Sequence, residues 1–257
     1  MDWRITHGET INEFLQYMNK QSSDYILKGG TSLMTCYGLD RFSEDIDLDC
    51  VHSAKIKTIV DDFCNIRGYT YRVAKDTNTV KRFMINYGND RKPLKIEVSY
   101  RKKIIEPSEY TRISGITVYN IDDICRMKMN AYISRDKIRD LYDLSFICKN
   151  YWDSLSNNTI KSLRDCISFK GLEQFDYLIK TQSDELINND KLAEDFLIMY
   201  DKLGLLVDDD EQQFIPEQNE KTSIADKIKA AQDKADKLNQ ETADKNIQPK
   251  RNKGQEL

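Results

Sequence analysis

The chain has 257 residues, 39% of them hydrophobic, enough for one large or two modest domains with a real core; a peptide, a fibre and a wholly disordered chain are excluded. Its formal net charge of −4 offers no global attraction to nucleic acid, so any polyanion would have to meet a local basic patch. Six scattered cysteines form no CxxC pair or zinc-type cluster and point to free thiols in a reducing cytoplasm, and no apolar run is long enough to suggest a membrane partner.

Ile11, Phe14, Leu15 and Met18 stand at helical spacing, and the Gly29-Gly30 pair interrupts the apolar run that follows. A short helix is expected over Thr31 to Tyr37, stopped by Gly38. In Asp45-Ile46-Asp47-Leu48-Asp49 acids alternate with apolar residues at the period of a strand, so its polar face carries carboxylates. Ser53 is a fair N-cap for a helix reaching about Arg67, with Gly68 as its stop. Strand-like segments follow at Tyr69 to Val73, Val80 to Tyr87, Leu94 to Tyr100 and Ile116 to Tyr119. From Asn120 the period turns helical: Ile121 to Ile133, Asp136 to Cys148, Thr159 to Phe169, Leu172 to Ile179 and Lys191 to Leu203. The expected fold class is α+β with a mixed sheet: an α/β core over 1–120, a helical part over 121–207 that completes the site, and a charged, flexible tail over 208–257.

Phosphoryl chemistry requires donors that cradle a polyphosphate, carboxylates that hold a divalent metal, and an acceptor hydroxyl in line with the reacting phosphorus. Gly29 and Gly30 let backbone approach an anion, and the amides and hydroxyls of Thr31 and Ser32 at a helix start add donors. Asp45 and Asp47 share one strand face, suiting magnesium; a third carboxylate should come from a neighbouring strand, and Glu97, set among apolar positions in a strand pattern, is the candidate. Each piece alone is more often banal: a glycine pair is usually a turn, and alternating acids are usually a solvated face. Their order and spacing make the case together.

Lys28-Gly29-Gly30-Thr31-Ser32-Leu33, Tyr37-Gly38-Leu39 and Arg41-Phe42-Ser43-Glu44-Asp45-Ile46-Asp47-Leu48 resemble the AbiEii/AbiGii-type nucleotidyltransferase toxins within the DNA polymerase beta-like superfamily. Lys95-Ile96-Glu97, Lys128 and Arg139-Asp140-Leu141-Tyr142-Asp143-Leu144 extend the resemblance, whose specific motifs cover residues 25 to about 147. It implies an enzyme transferring NMP from an NTP to RNA, with the tRNA 3′ end as acceptor, in a toxin–antitoxin or phage-defence setting. Asp45, Asp47 and Glu97 would hold Mg2+ or Mn2+, Lys128 would meet the triphosphate, and Asp140 would orient Lys128 or the acceptor. The antitoxin would be separately encoded. Transfer to a protein or small-molecule hydroxyl is the rival within enzymes, and a catalytically silent nucleotide-binding regulator the rival outside them. Arg126, Lys128, Arg135, Lys137 and Arg139, with Arg101 to Lys103, form the basic group that would hold RNA, and Tyr100, Tyr132 and Tyr142 are either stacking platforms or core.

Overall fold

The computed structural model describes residues 2–50, 55–88 and 92–206. In chain order these are α1 (Trp3–Gln21), β1 (Tyr25–Lys28), α2 (Gly29–Cys36), β2 (Asp45–Cys50), α3 (Ile56–Arg67), β3 (Thr70–Asp76), β4 (Val80–Asn86) and β5 (Leu94–Ser99). Then come β6 (Tyr110–Ile113), β7 (Ile116–Tyr119), α4 (Ile121–Arg135), α5 (Ile138–Tyr151), α6 (Asn157–Thr181) and α7 (Asn189–Lys202). The expected tail and the Ser53 cap lie outside the described residues. Among those described, no helix is long and apolar enough to cross a membrane.

The strands form one mixed sheet in the order β3-β4-β5-β2-β1-β7-β6. This is the α+β class expected from the residue pattern. β2 runs antiparallel to β1 and parallel to β5, so the acidic strand lies in the middle of the sheet. Ile46 and Leu48 of β2 join Ile96 and Val98 of β5 in the core, and the alternation delivers Asp45 and Asp47 to the opposite face. α1 contacts α3, β5 and β7, while α2 packs on β1, β2, β7 and α4.

Two strands are not expected from the sequence. β1 is only four residues long, and Tyr25, Ile26 and Leu27 are all buried, so it has no alternation to mark it. β6 pairs with β7 through a turn at Ser114 and Gly115, both with positive φ (48° and 82°), and its two middle residues are exposed. The helices expected over Thr159 to Phe169 and Leu172 to Ile179 are the two stretches of α6, separated at Gly171 (φ 69°, ψ 176°), where the backbone is not helical. Gly68 caps α3 in the left-handed region, as its place in the sequence implies. Cys36 is half-buried, the other five cysteines are buried, and all six are free thiols.

Candidate active site

The site begins where β1 passes into α2. Gly29 has φ +79°, and a Cβ there would stand 3.1 Å from Asp47 Oδ2; at Gly30 a Cβ would lie 2.8 Å from Ser43 Oγ and 2.9 Å from Arg41 Nη2. Gly30 is therefore required by close approach and Gly29 by its left-handed backbone conformation, with Asp47 tight against it. They line a cleft of about 660 Å³ together with Ser43, Asp45 and Asp47. The first turn of α2 leaves amides without intrahelical partners, and the helix dipole favours an anion there.

The hydroxyls expected to add donors are spent within the loop. Thr31 and Ser32 are buried; Thr31 Oγ1 donates to the Asp45 carbonyl and is hydrogen-bonded to the Ser43 hydroxyl at 2.9 Å, and Ser32 Oγ donates to the Gly29 carbonyl at 2.7 Å. They brace the glycine turn against β2, and neither lines the cleft. Lys28, whose ammonium meets Asp49 Oδ1 at 2.5 Å, likewise serves the frame, with the Tyr119 hydroxyl donating to Asp49 Oδ2 at 3.0 Å.

Asp45, Asp47 and Glu97 stand on one face of the sheet. Asp47 and Glu97 are direct cross-strand partners, and Asp45 lies two residues before Asp47 on the same face. Asp45 is paired with Lys95 at 2.6 Å and Glu97 with Arg82 at 2.5 Å. Asp47 has no hydrogen bond from any described residue; burial pushes its carboxyl above the usual value, against the pull of Lys95 and with further push from Asp45 and Glu97. Lys95 is held above the ordinary lysine value because its bond and charge contact with Asp45 outweigh the opposing desolvation. Glu97 does not line the cleft, which ends at Lys95 on that side.

The opposite wall is cationic and comes from α4 and α5. Lys128 is buried and meets Asp143 Oδ2 at 2.5 Å and Asp140 Oδ1 at 3.4 Å. Arg41 donates through Nε and Nη2 to the two oxygens of Asp143, both at 2.6 Å. Arg135 holds Asp140 the same way at 2.7 and 2.9 Å. Burial would raise the Asp143 carboxyl, but Lys128 and Arg41 hold it below the ordinary aspartate value. Three cations thus share two fully buried carboxylates, leaving one positive charge in excess beside the cleft.

The motif resemblance points to Asp140 as the partner of Lys128; the structure makes Asp143 the nearer one and adds Arg41 as its second cation. Asp140 and Asp143 stand at i and i+3 on α5, a spacing that equally suits a solvated helix face, so the sequence carries no sign that Asp143 is the buried anchor. The basic group is dispersed. Arg126 pairs with Asp122 and Asp123 and lines a separate cavity, while Lys137 and Arg139 reach the cleft, Arg139 bound to Asp184 and Glu44. Tyr132 and Tyr142 are buried in the core.

The donor chemistry fits a divalent cation: three carboxylates share a face, and one of them, half-buried Asp47, has no hydrogen bond while two like charges act on it. As they stand, no three such side chains among the described residues are gathered about a single point, and Lys95 and Arg82 each hold one of the acids.

Comparison with known proteins adds a family. A family described as nucleotidyl transferase AbiEii toxin, type IV toxin–antitoxin system, matches residues 14–240. The uncharacterized protein aq_aa25 of Aquifex aeolicus (strain VF5) is 30% identical over 137 residues, 51% of this chain; the match spans 61% of that relative's length. Among solved structures, JHP933 from Helicobacter pylori aligns at 28% identity with a TM-score of 0.67, over 80% of this chain and 94% of its own. A second H. pylori structure, described as a candidate nucleotidyltransferase, aligns at 28% identity with a TM-score of 0.66, over 80% and 97%.

Proposed function

Because the chain belongs to the AbiEii family of nucleotidyl transferase toxins, we propose that it transfers a nucleoside monophosphate from an NTP to the 3′ hydroxyl of an RNA, the tRNA 3′ end, and that this arrests growth until a separately encoded antitoxin relieves it. The observation that carries the reading is the position of Asp47. It lies against the Gly29 turn with no hydrogen bond, in a cleft whose far wall holds Lys128 and Arg135.

In the proposed reaction the triphosphate lies along the first turn of α2, between the carboxylate row and the cationic wall. The acceptor oxygen forms a bond to the α-phosphorus, the bond to pyrophosphate breaks, and the hydroxyl proton passes to the carboxylate row. Lys128 and Arg135 draw the charge that develops on the leaving pyrophosphate. Asp140 orients Lys128 from within α5, and Asp143, fixed by Arg41, sets its height above the cleft. Asp45, Asp47 and Glu97 are the residues that would hold magnesium or manganese, which when bound supplies charge neutralisation at the phosphate and a more acidic acceptor hydroxyl.

Induced expression of wild type beside Asp47→Ala, followed by sequencing of RNA 3′ ends, tests the reading. Wild type is expected to add nucleotides to tRNA 3′ ends and stop growth; Asp47→Ala is expected to do neither, with turnover lowered at least about a thousandfold, the scale of losing a group that acts in the transition state. Incubation of the purified protein with labelled NTP and either tRNA or cell protein separates the acceptors. Label in protein alone would sink the RNA reading, and equal toxicity of Asp47→Ala would sink catalysis.

A further inference from the structure

Directly paired residues project from the same face of a sheet, so the strand register extends the carboxylate row beyond the cleft. Asp47 pairs with Glu97, Glu97 with Arg82, and Arg82 with Lys75. One row away, Asp45 pairs with Lys95, Lys95 with Met84, and Met84 with Arg72. The contacts of Arg82 with Glu97 at 2.5 Å and of Lys95 with Asp45 at 2.6 Å place these side chains on one face. The opposite face of β3 is turned to α3: the Tyr71 hydroxyl bonds to Asp61, and its ring packs on Phe83.

On the active-site face, therefore, β3 and β4 contribute Arg72, Lys75 and Arg82 and no acid. Of the hairpin's four cations, Lys81 pairs with Asp76 and Arg82 with Glu97, whereas Arg72 and Lys75 are exposed and have no ion pair among the described residues. Charge on an edge strand guards against unwanted strand pairing, but either sign on either face would serve that purpose. Here both free cations stand on the face that leads to Asp47. In a chain of net charge −4 this is unpaired positive charge of the kind a polyanion requires.

We propose that the active-site face of the β3–β4 hairpin is the docking track for the phosphodiester backbone of the acceptor. A polynucleotide runs along the Lys75–Arg82–Glu97 row and presents its 3′ end at Asp47. Three inter-strand intervals of about 4.8 Å put Lys75 ~14 Å from Asp47, room for a few nucleotides. The inference rests on the polynucleotide-acceptor reading above and adds where the strand lies. Recognition is of phosphate, since Arg72 and Lys75 offer charge and no base-stacking ring.

The test uses the full chain as wild type, as the double variant Arg72→Ala/Lys75→Ala, and as the charge-keeping pair Arg72→Lys/Lys75→Arg. Binding of a 5′-dye-labelled single-stranded oligoribonucleotide with a free 3′ hydroxyl is followed by anisotropy between about 50 and 200 mM salt. The double alanine variant is expected to bind at least about tenfold more weakly at low salt, with a log–log salt slope flatter by about 1.4, or ~0.7 for each phosphate that is no longer neutralised. The charge-keeping pair is expected to retain the wild-type slope, and thermal melting of all three proteins reports on folding. If wild type labels RNA and the double variant keeps both affinity and slope, the track is overturned while the RNA reading stands. Label in protein alone would overturn the acceptor reading and the track with it.

Discussion

Asp47 imposes a cost on the folded state. Burial and the neighbouring Asp45 and Glu97 raise its carboxyl above the ordinary 3.8, and the pull of Lys95 and Lys28 does not compensate. Between 3.8 and the raised folded value the native state binds more protons than the unfolded chain, so stability falls as pH rises through that window. Asp47→Asn removes the cost. The variant is expected to melt above wild type at neutral pH, the difference closing below the ordinary aspartate value, while transfer is abolished. An unchanged or lowered melting temperature at pH 7 would contradict this. That the Asp-x-Asp pair shares a face is legible from period-2 alternation; that Asp47 is the one left without a hydrogen bond is not, because the cations that take Asp45 and Glu97 come from β5 and β4.

Elements are legible where their period is long or their punctuation sharp. α3 ends at Gly68, and Ile116–Tyr119 is a strand, as the sequence implies. β1 escapes a reading by period because a four-residue strand whose first three residues are all buried lacks alternation. Gly171 separates two helical stretches as its sequence position suggests, and its φ of 69° with ψ of 176° lies where only glycine is comfortable. Gly171→Ala is expected to cost about 1–3 kcal/mol in urea denaturation, the range for a residue forced into such a conformation. A neutral result would mean that α6 straightens through the kink without penalty.

At the scale of the molecule, the site is held by a buried ionic cluster joining distant segments. Asp143 of α5 receives Arg41 from across 102 residues of sequence and Lys128 from α4, so the β-rich and helical parts share one charge network. Asp143→Asn leaves two buried cations with less than their counter-charge, a loss of about 3–5 kcal/mol at neutral pH by urea denaturation. Since the Asp143 carboxyl is held below its ordinary value, its contribution is present above about pH 4 and is lost as pH falls through the folded value, so the gap between wild type and variant is expected to narrow in acid. A gap independent of pH would assign the loss to packing. The sequence by itself determined the local chemistry: the glycine turn, the two aspartates on one strand face, the strand acid and the helical lysine, because each depends on residue type and on periods of 2 or 3.6. Only the tertiary structure decided which charges meet. Arg41 with Asp143, Arg82 with Glu97 and the spent hydroxyls of Thr31 and Ser32 depend on strand register and helix packing across long sequence separations, which no local period encodes.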